Sequence, residues 1–162
     1  MLADSSFIIS LDRRKKLGLL EKYAKRNQIK IHVTPHVKEE IIDQPREDGI
    51  YADSVNRIEK LFGDGLIVVV HVDYTIGEVS TFCDNVRMRI AESSGKELHK
   101  VERADCEIAA LACQLSITTK KKVRVVFKDN AMREALESVI SGRGHQQSIG
   151  LVDSDAFVAA LK

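Results

Sequence analysis

The chain has 162 residues, 44% of them hydrophobic and 30% charged, and carries a formal net charge of +1. That length suffices for one domain spanning residues 1–162 with a sizeable core, and the balanced charge excludes the overall basic field of a nonspecific nucleic-acid binder. The longest apolar run, residues 66–70, is far too short to cross a bilayer.

The N-terminus lacks the basic segment, long apolar stretch and cleavage site of a signal peptide. Cys83, Cys106 and Cys113 show no paired CxxC spacing and read as free, largely buried thiols of a reducing compartment. A cytoplasmic protein with no membrane association is expected.

At the start, residues 1–3 form either a short buried strand with Asp4 at its carboxyl end, or the approach to a turn in which Asp4, Ser5 and Ser6 cap a helix. Leu17, Leu20 and Ala24 recur at helical spacing, which predicts an amphipathic helix over 11–27. Ile29, Ile31 and Val33 alternate with Lys30 and His32 and predict a strand. Thr34-Pro35 then opens a helix, with Thr as N-cap and Pro at the first helical position. Around that helix Val37, Ile41 and Ile42 mark the buried stripe. Glu40 lies about 110° from its centre and Glu39 about 150°, so Glu40 is nearer the seam.

Residues 44–49 read as a polar loop. Val55, Ile58, Leu61 and Phe62 predict the next helix, closed by Gly63 and Gly65. The continuous apolar run 66–70 predicts a strand buried on both faces. A helix is expected over 74–94, lined by Val79, Phe82, Val86 and Ile90, and another over 101–117, with Ile108, Leu111, Ala112 and Leu115 on its apolar face. A strand at 123–127, a helix at 131–140, a loop at 141–144, a strand at 149–152 and a helix at 154–161 capped by Asp153 complete the chain. Such alternation predicts a three-layer α/β fold, Rossmann-like, with a mostly parallel central sheet of about five strands flanked by helices.

In a right-handed wound sheet, helices begin where strands end. Asp4 and Asp129 follow strands, Glu40 lies early in the helix after the second strand, and Asp105 opens the helix that leads to the fourth. All four are therefore expected at one edge. Clustered carboxylates repel unless a cation neutralises them, and an all-oxygen set favours Mg²⁺ or Mn²⁺ over zinc. The five histidines show no HxH or HExxH spacing and read as incidental.

The order of these segments resembles the PIN-domain family of metal-dependent ribonucleases, which includes the VapC-type toxins and several RNA-processing nucleases. Asp4-Ser5-Ser6-Phe7-Ile8-Ile9 is similar to the family's opening motif. Thr34-Pro35-His36-Val37-Lys38-Glu39-Glu40-Ile41 is similar to the segment carrying its second acid. Asp105-Cys106-Glu107-Ile108-Ala109-Ala110-Leu111-Ala112 matches the third, and Asp129-Asn130-Ala131-Met132-Arg133 the fourth. The chain departs at Phe127 and Lys128, where the family often has Ser, Thr or Asn before the fourth acid, and residues 74–100 match no family motif.

The resemblance implies an endoribonuclease in which Asp4, Glu40, Asp105 and Asp129 bind Mg²⁺ or Mn²⁺ and are catalytic. It further implies support from Ser6, Glu107 and Asn130. Arg13, Arg14, Lys15, Lys16, Lys38 and Arg103 are the cations expected on RNA phosphates, with an antitoxin or RNA-processing partner and a homodimer as further expectations. The competing expectation is a catalytically weak or inactive PIN-like module that binds RNA or protein. A phosphatase or signal-receiver fold ranks lower, because Asp4-Ser5-Ser6 lacks the paired acid such sites use.

Overall fold

The computed structural model describes residues 1–101, 103–128 and 130–161, without the side chains of Arg103, Ala104 and Ala131. Its strands are β1 (Leu2–Ala3), β2 (Ile31–Val33), β3 (Ile67–Val69), β4 (Val123–Phe127) and β5 (Ile149–Asp153). All neighbours pair in parallel, in the order β3-β2-β1-β4-β5. The fold is thus a three-layer α/β sheet flanked by helices, as expected, and parallel throughout.

The first half carries α1 (Ser5–Arg13), α2 (Leu17–Arg26), α3 (Pro35–Lys38), a π-helical turn (Glu39–Asp43), α4 (Gln44–Glu47) and α5 (Ala52–Gly63). The second carries α6 (Gly77–Ser94), a 3₁₀ turn (Leu98–Lys100), α7 (Arg103–Thr119), α8 (Asn130–Gly142) and α9 (Ser154–Ala160). α7 lies across β1, β4 and β5, with α6 packed against both α7 and α8. The core also joins α1, α2 and α9: the Phe157 ring meets Phe7 edge-on at 5.7 Å and Tyr23 at 5.2 Å between centroids.

Three expectations need correction. The predicted 11–27 helix is two helices, because the chain turns at Lys15, which holds the left-handed φ of 55°, and helix one starts earlier, at Ser5. Residues 44–47 are helical, not loop. Pro45 offers no N–H and its ring would crowd the carbonyl of residue 41 in an α-helix. The wider π-turn just before it relieves that crowding, closed by Gln44 N–H donating to Glu39 O. Finally, β3 is an edge strand: Ile67 is buried, but Val68, Val69 and Val70 are only partly so. Val79, Phe82, Val86 and Ile90 line α6 as expected, and Asp153 caps α9 by accepting from Asp155 N and Ala156 N, both at 2.9 Å. The three cysteines are free, with Cys106 and Cys113 buried.

Candidate active site

From β1, the middle strand, the chain passes to β2 on one side and later returns through α7 to β4 on the other. Connections therefore diverge at the β1–β4 boundary, the switch point where open α/β sheets leave a crevice beyond the strand ends.

Asp4 stands at that point. Its N–H donates to Val126 O at 3.3 Å, and its side chain, only 6% exposed, caps α1. Oδ1 accepts from Phe7 N at 2.7 Å, and Oδ2 accepts from the Ser6 hydroxyl at 2.6 Å. Strand end and N-cap are one position, because a two-residue strand runs straight into the helix.

Thr34, fully buried, repeats the device one strand over: its Oγ1 accepts from Val37 N at 3.3 Å. The helix it starts leads to Glu40 in the π-turn. Glu40 is half-buried and Glu39 exposed, the order that helical geometry predicts. With Ile9, Arg13, Lys15 and Arg57, Glu40 lines an open groove of about 980 Å³ between α1 and α5.

Asp105 lies in the first turn of α7, half-buried. Two residues on, Glu107 is 6% exposed and its Oε2 sits 2.6 Å from His36 Nδ1. That contact ties the start of α7 to α3, so His36 is not incidental. No spacing in the sequence could reveal it, since the two partners come from separate elements. Asp129 lies outside the described residues. Among those described, Asp4, Glu40 and Asp105 share the carboxyl edge, yet their carboxylates are not gathered to within 4.8 Å of one another.

Of the remaining expected residues, Ser6 holds Asp4 and Asn130 is exposed at the start of α8. Arg13 and Lys15 are exposed on the groove, and Lys16 is half-buried. Arg14 is bonded to Asp155 at 2.5 Å, and Lys38 reaches both Asp43 oxygens at 2.8 Å. The Arg103 side chain lies outside the described residues.

Sequence reasoning missed a further network beside the groove. Asp12 is 6% exposed and accepts from Arg57 Nε at 2.7 Å, Arg57 Nη2 at 2.9 Å and Ser54 Oγ at 2.5 Å. The Arg57 bonds, aided by Ser54, hold its carboxyl below the usual range against the opposing effect of burial. Its signal was available: Asp12 follows buried Ile8 by four, placing a carboxylate on the apolar face of α1.

A family model of the Halobacterial PIN domain matches residues 1–162. The chain belongs to the PIN-domain family. PIN domains are in general nucleases and typically use divalent metal ions. A search among curated proteins gives no match. Among the described residues no helix of this PIN domain is long and apolar enough to cross a membrane.

Proposed function

We propose that this PIN domain is an endoribonuclease that hydrolyses RNA phosphodiester bonds with Mg²⁺ or Mn²⁺ held by Asp4, Glu40, Asp105 and Asp129. The observation that carries the proposal is Asp4: a buried carboxylate at the carboxyl end of the central strand, at the switch point, with both oxygens oriented by Phe7 N and Ser6. The donor set fits a hard divalent ion, since every expected ligand atom is a carboxylate oxygen.

When bound, such an ion lowers the pKa of water and neutralises charge on the scissile phosphate. The chain's own residues do the rest. Ser6 fixes the orientation of Asp4, the His36–Glu107 contact holds Asp105's helix against α3, and Arg13 and Lys15, exposed on the groove and in no ion pair among the described residues, are suited to the RNA backbone. Contacts of that kind give salt-dependent affinity with little sequence choice.

The test is cleavage of a mixed single-stranded RNA pool after removal of all metal. Cleavage should appear with Mn²⁺ or Mg²⁺, vanish with chelator, and fall by at least about 100-fold in Asp4→Asn and Asp105→Asn, as expected for loss of a group acting on the transition state. RNA binding without cleavage at any divalent concentration would overturn the nuclease proposal in favour of an inactive binding module.

A further inference from the structure

Away from the carboxyl edge, three residues distant in sequence meet. They are Glu78 in the first turn of α6, Cys113 on α7, and His145 in the loop between α8 and β5. One carboxylate oxygen, the thiol sulfur and one imidazole nitrogen all lie within 4.8 Å of one another. Among the described residues this is the one such group of three acid, cysteine or histidine side chains.

His145 Nε2 and Glu78 Oε1 are 3.0 Å apart, yet Nε2 is shut off from solvent and has no aligned hydrogen-bond partner among the described residues. The imidazole nitrogen and the carboxylate oxygen thus face the same space, with the nitrogen's bonding capacity unused among the described residues. The imidazole is also held from behind. Phe82 meets the ring edge-on, 5.4 Å between centroids, and Nδ1 faces Ser148 Oγ at 3.5 Å. The Ser148 hydroxyl donates to the His145 carbonyl at 3.1 Å, so its oxygen can accept from Nδ1–H in the tautomer that leaves the Nε2 lone pair for a cation. Metal-ligating histidines are oriented by this kind of contact at the other nitrogen.

Cys113 is fully buried. Burial, reinforced by the Glu78 charge, pushes its thiol up to about 11, so without a cation it stays protonated and inert at neutral pH. A cation would displace that proton. Glu78, by contrast, borders an open groove of about 600 Å³ together with Arg89 and Arg143, which gives an ion and a further ligand access from solvent.

We propose that Glu78, Cys113 and His145 form a second metal site, one that takes Zn²⁺ through a carboxylate oxygen, a thiolate and an imidazole nitrogen and leaves a fourth position toward the groove. Mixed S, N and O ligation suits zinc and disfavours Mg²⁺, so the site differs in chemistry from the four carboxylates. It ties α6 and α7 to the loop that feeds β5, and it stands independently of the nuclease proposal.

The test uses the full chain, reduced and stripped of metal, in an Asp4→Asn background that disables the acidic site. Co²⁺ should bind one per chain with a thiolate-to-cobalt charge-transfer band in the near ultraviolet, displaced by one equivalent of Zn²⁺ and not by excess Mg²⁺. Cys113→Ser should abolish the band. His145→Gln and Glu78→Gln should each weaken Zn²⁺ by about 100-fold or more, beyond the 10- to 100-fold typical of losing only a supporting contact. Should Cys113→Ser fail to fold by circular dichroism, His145→Gln in the loop carries the test alone. No thiolate band, a band that survives Cys113→Ser, or Zn²⁺ affinity unchanged in His145→Gln would each overturn the proposal.

Discussion

Replacing Asp4 by asparagine separates its two roles, because only one of them needs charge. Asparagine caps helices as well as aspartate does. Its Oδ1 can still accept from Phe7 N, and its amide can donate to Ser6 Oγ, so the bonds now at 2.7 and 2.6 Å are both replaceable. Asp4→Ala loses both and should cost about 1 kcal/mol, within the range for a lost N-cap. For a chain of this size that lowers Tm by about 2–4 °C. In metal-free buffer Asp4→Asn should melt within about 1 °C of the parent, since both capping bonds are kept. With free Mn²⁺ at about 100 times its Kd, the parent should gain about 2.7 kcal/mol by mass action, or roughly 5–10 °C, and neither variant should gain it. Thermal melts with and without Mn²⁺ measure all three proteins. If Asn melts as low as Ala, or keeps the Mn²⁺ shift, the account of Asp4 as cap and ligand at once is wrong.

Arg57→Ala leaves buried Asp12 with Ser54 as its side-chain donor and should lower stability at pH 7, by an amount that solvent screening of the half-exposed guanidinium keeps small. Asp12 has a lowered folded pKa, so its contribution is complete above the unfolded carboxylate value of about 3.9 and is lost as pH falls through the folded one. Urea melts of parent and Arg57→Ala should therefore converge as pH falls below about 4, and a gap that stays constant would rule this out. Tyr51 holds a left-handed φ of 55° with its side chain 66% exposed. Tyr51→Gly should raise stability by up to about 1 kcal/mol, less the entropy glycine loses on folding, and a clear loss in the same urea melt would show that the ring contributes packing that outweighs the strain.

What could be read from the residues was periodic or local. The strand–helix alternation, the Thr34-Pro35 start and the Val79–Phe82–Val86–Ile90 stripe each involve neighbours along the chain, and each appears in the fold. The break at Lys15 leaves no local mark, since a lysine and not a glycine or proline takes the left-handed turn. Pro45 suggested a loop, where a widened turn lets it sit inside a helix. The valines after Ile67 suggested two-sided burial, but apolarity cannot distinguish a central strand from an edge one. For the site, Asp4 was legible because strand end and cap coincide. Histidines 36 and 145 were not, since each acquires its partner only when separate elements pack.

The π-turn at Glu39–Asp43 packs against α1 and α5 and spends one residue more than an α-turn on the same arc. Chain length, and not only residue identity, therefore sets where the acid at 40 points. Deleting one residue from the arc would draw it toward an ordinary α-turn and set the Pro45 ring against the carbonyl four residues before it, so the segment carrying Glu40 would have to kink or break there. A change of length alone, with every side chain kept, would thus displace the half-buried acid at 40 from its place on the groove.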